Sequence, residues 1–335
     1  MSSNSSKGWI RTSTDGRPFA YADRRAAVSR AGPRASCVPR WSDGMEIGVG
    51  LPTNLRGTNK DLVALWAQRA EEAGFASVCM GERLTYAGYD WVLALTAAAA
   101  VTSRIRLLAN VVILPIHPVG VVAKQSLSLD DYSGGRFSLG VGLGTPLDDY
   151  DVAPSARGGR GARFEQSLRT LRELFRGESL IEGVRAIGPP PVREGGPELL
   201  LGANGLKALR RAGEFTDGAV TWSFGADPVE ARTQFDVVES SFEERGREDS
   251  PRLVCGCYYS VPPNAEDDLE AYFRDYYPNV LPGQVEQLLQ AVRTVTPEAI
   301  RDVVHAFEDI GCDEFIFVPV KPDIAHLDGL AEIVF

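Results

Sequence analysis

Residues 107–145 read LLANVVILPIHPVGVVAKQSLSLDDYSGGRFSLGVGLGT, and one supersecondary unit is legible in them. The apolar run 105–114 is long enough for a buried strand. His117-Pro118 follows, and then a helix over 119–132. Gly134-Gly135 stops that helix, because glycine just past a helix end takes a left-handed conformation at no steric cost. Residues 137–143 form the next strand, punctuated by Gly140, Gly142 and Gly144. Strand, helix, glycine turn and strand make one βαβ unit. Glycine within or just after a strand lets a flat ligand or another backbone approach closely; it equally relieves crowding in a packed sheet. The GxGxG of 140–144 is not the dinucleotide fingerprint GxGxxG, so no NAD site is read from it.

The same alternation extends in both directions. Strands are expected at 46–51, 76–80, 198–202, 218–222, 252–261 and 314–318. Asn59 or Asp61 caps a helix that runs to Ala73, with Leu62, Trp66, Ala70 and Ala73 on one face, and Gly74 ends it. Further helices are expected at 91–101, 164–175, 206–215 and 228–245. A helical stretch beyond residue 261 is broken at Pro278 and Pro282. Thr296 caps a helix with Pro297 in its first turn and Gly311 at its end, and a short helix covers 323–333. Residues 145–163 and 177–197 are irregular, and a loop of that length in a compact domain is usually functional or mobile. Eight strands, each followed by helix, argue a parallel sheet. The spacing fits a (β/α)8 barrel with insertions after strands 4 and 7; a doubly wound open sheet is the rival.

Composition narrows the partners. The chain has 335 residues, 44% of them hydrophobic, and no run of 18 apolar residues, so no membrane span is expected. Residues 1–44 carry eight Lys and Arg against three Asp and Glu. The remainder is acidic enough to bring the net charge to −10, which argues against nucleic acid as a partner. The five cysteines include no CxxC pair. Cys255 and Cys257 would point to opposite faces of a strand, so the thiols read as reduced in a cytoplasmic protein. The three histidines are far apart, and no metal site is read. Residues 1–44 lack apolar periodicity and are expected to be disordered or loosely packed. They hold no secretory h-region. They are either a transit-peptide-like extension or the product of an upstream start, with Met45 opening the folded domain, 45–335.

The segment IRLLANVVILPIHPVGVVAKQSLSLDDYSGGRFSLGVGLG (105–144) resembles the core of the luciferase-like flavin oxidoreductases. That superfamily includes bacterial luciferase, alkanesulfonate monooxygenases and coenzyme F420-dependent dehydrogenases. IGVGLP (47–52), AEEAGFASVCMGERL (70–84), RGARFEQSLRTLRELFRGE (160–178) and LLLGANGLKALRRAGEFTDGAVTW (199–222) match further pieces. The resemblance covers roughly residues 45 to 335. It implies a luciferase-like TIM barrel using reduced FMN and dioxygen to oxygenate a small organic substrate, with FMN reduced by a separate reductase and the chain working as a homodimer. Hydride transfer with coenzyme F420 is the first alternative, and a non-catalytic flavin- or ligand-binding barrel the second.

In a barrel of this kind the site lies at the carboxyl ends of the strands, near Leu51, Met80, Asn110, Gly142, Gly202 and Trp222. Gly202, Ala203, Asn204 and Gly205 stand between a strand and a helix, where exposed N–H groups favour a phosphate and Lys207 and Arg210 add charge. Asn204 as a simple helix cap is the plainer reading. The resemblance puts the cofactor phosphate there, and a cis peptide at Asn110-Val111 behind the flavin ring. Gly142, Leu143 and Gly144 complete the expected cofactor contacts. Bacterial luciferases carry a phosphate-binding arginine where this chain has Leu143. Many relatives carry an acidic residue and then histidine where this chain has Glu82 and Arg83. Arginine stays protonated, so Arg83 cannot be a general base, but it can stabilise negative charge on oxygen. Glu82 is an acid or base, or the ion-pair partner of Arg83. Arg157, Arg160 and Arg163 reach an anionic tail or are solvated. Tyr86, Tyr89 and Trp91 form an apolar substrate wall or pack on the next helix. His117 suits a turn or the barrel mouth.

Overall fold

Eight parallel strands close on themselves in sequence order. They are β1 (Glu46–Gly50), β2 (Ser77–Met80), β3 (Arg106–Ile113), β4 (Phe137–Gly142), β5 (Glu198–Gly202), β6 (Gly218–Trp222), β7 (Arg252–Tyr259) and β8 (Glu314–Pro319). Closure runs through β1 and β8, with Glu46 opposite Glu314 and Val49 opposite Phe317. The expected (β/α)8 barrel is therefore the fold, and the open sheet is excluded. The computed structural model describes residues 44–144, 148–153 and 158–335, without the side chain of Asn279. The chain divides into Met1–Arg40 and Trp41–Phe335. The N-terminal extension, Cys37 and Arg157 lie outside the described residues.

The strands read as continuous apolar runs because both of their faces are buried. Val49, Val78, Leu107, Leu139, Leu201, Ala219, Cys255 and Phe317 pack outward into the core shared with the helices. The alternate residues fill the barrel in layers, as a period of two requires. At the amino-terminal end lies a charged floor. Arg106 Nη2 is 2.6 Å from Glu46 and 2.9 Å from Glu314, and Arg252 Nη2 is 2.6 Å from Glu314. Above it Cys79, Leu108, Leu200, Val220, Val254 and Ile316 form an apolar layer. The third layer is open and lines a cavity.

Local signals set the helix ends. Asn59 accepts from the amides of Asp61 and Leu62 and caps the helix Lys60–Ala73, which Gly74 stops at φ 102°. Gly134 stops Val119–Ser133 at φ 70°, and Thr296 caps Pro297–Asp309. Three expectations need correction. The loop after β4 contains a short helix, Asp148–Val152; four acidic or aromatic residues in succession hid it. The helix expected over 206–215 is two single turns, Leu206–Leu209 and Ala212–Phe215. The helix Arg160–Phe175 begins four residues earlier than expected. After β7 the helices Ala265–Tyr276 and Val285–Ala291 flank the proline break. With Tyr258 and Val320 they form a small apolar core of their own over the barrel mouth. Among the described residues no helix is long and apolar enough to cross a membrane.

Candidate functional site

A cavity of about 580 Å³ opens at the carboxyl ends of the strands. Glu82, Arg83, Asn110, Val111, Gly142, Gly144 and residues 202–205 all line it, so the residues expected to act in catalysis or to touch the cofactor ring and phosphate converge, with one exception. Leu143 faces a neighbouring pocket of about 260 Å³, shared with Gly144 and residues 202–205 and flanked by Arg160 and Arg211.

The Asn110-Val111 peptide is cis, and the register between β3 and β4 shifts between Ala109 and Val112. The resulting bulge accounts for the glycines around it. A Cβ on Gly202 would come within 2.5 Å of Val111 Cγ1, and one on Gly142 within 2.9 Å of Val111 Cγ2. Both glycines thus make room for the Val111 side chain while also lining the cavity. Gly205 differs: nothing lies within 4 Å of an added Cβ, so its surroundings are open.

Glu82 grips the bulge. Its amide donates to Val111 O at 3.3 Å, Oε2 accepts from the Ile113 amide at 2.7 Å, and Oε1 is 2.8 Å from His117 Nε2. The Glu82–Arg83 ion pair, one of the two readings open in the sequence, therefore does not form. Consecutive residues leaving a strand point apart, and Arg83 turns to the loop after β4. Its Nε donates to Asp149 Oδ2 at 2.8 Å, its Nη2 reaches Asp148 at 3.2 Å, and its guanidinium lies 5.2 Å from the centre of the Tyr276 ring. Burial works against this charge, but Tyr276, Asp149 and Asp148 hold its pKa above the ordinary arginine value. Asp149 is fully buried and also accepts from the amides of Leu84 and Thr85 at 2.8 and 3.0 Å. The Arg83 side chain is 5% exposed, so it is a fixed, neutralised cation at the cavity wall.

The cation pair at the side pocket also differs from expectation. Arg160 and Arg211 flank it, whereas Lys207 and Arg210 do not. Arg211 Nε is paired with Glu165 at 2.7 Å, and Arg163 donates to the Gly158 carbonyl at 2.6 Å. Asn204 is no helix cap: its Oδ1 accepts from the Trp222 amide at 2.9 Å and ties β5 to β6.

The apolar wall comes from another part of the chain than Tyr86, Tyr89 and Trp91. Trp91 is buried against Phe137, Tyr86 hydrogen-bonds Asp275, and Tyr89 is exposed. Instead Trp222, Phe224, Tyr258, Tyr272, Tyr276 and Tyr277 line the cavity. The signal was present in AYFRDYYPNV (271–280), where four aromatics at helical spacing make one face. Cys79 also lines the cavity, but burial pushes its thiol up to about 12, so it stays protonated. The four described cysteines are free and buried.

The family described as Luciferase-like monooxygenase matches residues 45–318. The chain is 30% identical over 184 residues to 4-hydroxyprotoasukamycin monooxygenase of Streptomyces nodosus subsp. asukaensis, covering 50% of this chain and 49% of that protein. It is 31% identical over 203 residues to an F420-dependent glucose-6-phosphate dehydrogenase of Nakamurella multipartita, covering 54% and 58%. It therefore spans about half the length of each. Among solved structures, an F420-dependent secondary alcohol dehydrogenase in complex with an F420-acetone adduct superposes with a TM-score of 0.73 at 18% identity, over 87% of this chain and 98% of that one.

Proposed function

This chain belongs to the luciferase-like monooxygenase family, and from that premise we propose that it is a flavin-dependent monooxygenase acting with reduced FMN and dioxygen on a small organic substrate. The family's members are monooxygenases or oxidoreductases, and relatives use FMN or F420. One observation favours oxygenation. Among the described residues the cavity offers no unengaged base: both Glu82 oxygens are occupied, Arg83 is a bound cation, and the Cys79 thiol stays protonated. Removing hydride from an alcohol needs a group to take the hydroxyl proton; the walls here position and shield instead.

The residues fit a phosphorylated flavin. The bulge at Val111, which lines the cavity beside Gly142 and Gly202, would back the flavin ring. The pocket bounded by residues 202–205, Arg160 and Arg211 would take the phosphate, with arginines from elsewhere serving where Leu143 stands. Reduced FMN would supply the electrons for dioxygen activation. Arg83, its charge already matched by Asp148 and Asp149, would brace the wall, and the aromatic lid would keep water from the ring. A separate reductase would deliver the reduced cofactor.

Titration of the purified protein with FMN and with F420, followed by visible absorbance, tests the cofactor. Saturable FMN binding and oxygen-dependent consumption of a substrate by pre-reduced FMN are expected. Binding of F420 with no response to FMN would move the chain to the hydride-transfer branch.

A further inference from the structure

Tyr258, at the end of β7, and Tyr272 and Tyr277, from the helical segment after it, all line the cavity. Their relative exposures are 7%, 7% and 4%. The Tyr277 and Tyr272 hydroxyls lie 2.9 and 3.4 Å from that of Tyr258, and no other hydrogen-bond partner reaches any of the three among the described residues. Three hydroxyls carry three protons, and two contacts within the cluster can use only two of them. One O–H is left without an acceptor in a buried, aromatic place, where an unmade hydrogen bond costs about 1–3 kcal/mol.

Burial pushes all three phenols above their ordinary range, so the cluster donates protons in hydrogen bonds and does not ionise. The surroundings define what accepts. Tyr258 stands edge-on to Trp222 at 4.7 Å and to Phe273 at 5.2 Å, so the walls suit a flat apolar body. Arg83 is already matched by two carboxylates, so an anion finds no net positive charge to repay its desolvation.

We propose that the hydroxyl cluster of Tyr258, Tyr272 and Tyr277 is a substrate-recognition subsite that donates a hydrogen bond to the carbonyl oxygen of a flat, uncharged, largely apolar substrate. This rests on reading the cavity as the substrate pocket of a flavin enzyme. A site built around a hydrogen-bond donor rejects analogues that lack the acceptor more sharply than it rejects changes of apolar size.

Three probes of one shape test it: 2-acetylnaphthalene, 2-isopropenylnaphthalene, in which CH2 replaces the carbonyl oxygen, and 2-naphthoate. Their affinities are measured by equilibrium dialysis with the full chain, with and without FMN. The ketone should bind about tenfold more tightly than the alkene and more tightly than the carboxylate. In the triple variant Tyr258→Phe/Tyr272→Phe/Tyr277→Phe, which removes every donor of the cluster, the ketone-to-alkene preference should fall toward one while alkene affinity holds. The ketone-to-alkene ratio of the wild type tests the proposal by itself if that variant fails to fold. Equal binding of ketone and alkene to the wild type, no binding of the ketone in either condition, a preference for naphthoate, or an undiminished preference in the triple variant would overturn the proposal. FMN titration of the same samples separates the premises. Ketone binding without FMN binding removes the flavin reading and leaves the subsite, whereas FMN binding without ketone selectivity does the reverse.

Discussion

At the scale of single residues, the site is governed by how its charges are matched. Arg83 and Asp149 are buried together, and removing one partner of such a pair strands the other. Arg83→Met should lower unfolding stability by about 3 kcal/mol. The double variant with Asp149→Asn should be less damaged than the sum, with a coupling of about 2 kcal/mol in denaturant unfolding. Coupling near zero would mean that the backbone amides alone satisfy Asp149. Glu82 poses a different question, since both of its oxygens already serve the bulge and His117. Glu82→Gln keeps the shape and one of these bonds, so we expect a loss of about 1 kcal/mol of stability. The pH profile of kcat/KM should keep its shape; disappearance of one limb would return Glu82 to acid–base duty.

At the scale of elements, the turn after β5 separates two uses of glycine. Gly202→Ala would drive a methyl into Val111, and overpacking of that kind costs about 1–3 kcal/mol; calorimetric melting should show it, together with weakened cofactor binding. Gly205 has φ −76° and open space around it, so Gly205→Ala should stay within about 0.5 kcal/mol of wild type. Gly205→Asp should also fold, but its carboxylate would repel an anion in the adjoining pocket. FMN titration should therefore show a large loss of affinity in Gly205→Asp and almost none in Gly205→Ala. Equal affinities would place the phosphate elsewhere. The single turn Leu206–Leu209 is too short for a sizeable macrodipole, which falls off within a turn, so the side-pocket arginines carry more of this argument than the helix start does.

At the scale of the whole molecule, the barrel stands on its charged floor. Arg106 and Arg252 hold the Glu314 carboxyl below the ordinary carboxylate range, even though burial pushes the other way. Its contribution to stability is therefore complete above the unfolded value of about 4.3 and is lost as pH falls through the lower folded value. Burial outweighs Arg106 at Glu46 and raises that pKa, so Glu46 works in the opposite sense. Melting temperature followed against pH should fall more steeply below about pH 4 in the wild type than in Glu314→Gln. Glu314→Ala, which leaves both guanidinium groups short of a partner, should cost about 3–5 kcal/mol at neutral pH. Parallel acid limbs would show that Glu314 titrates alike in the folded and unfolded chains.

What the chain states by itself is local and periodic. The eight apolar runs, the caps at Asn59 and Thr296 and the stops at Gly74 and Gly134 depend on neighbours within a few residues, and these suffice to order a barrel and place its rim. Gly142 and Gly202 were legible as cavity residues for the same reason, since each closes a strand, whereas Asn110 sits inside β3 at the bulge. Tertiary structure alone decided which side chains meet across that rim. Arg83 and Asp149 are 66 residues apart, Tyr258 and Tyr277 19 apart, and Arg252 and Glu314 62 apart. Glu82 could not be assigned its partner from sequence because adjacent residues at a strand end diverge, and nothing local says toward which loop. Closing the barrel brings the loops after β2, β4 and β7 to one mouth, and that closure turns a salt-bridge candidate into a braced cation and an aromatic helix face into a cavity wall.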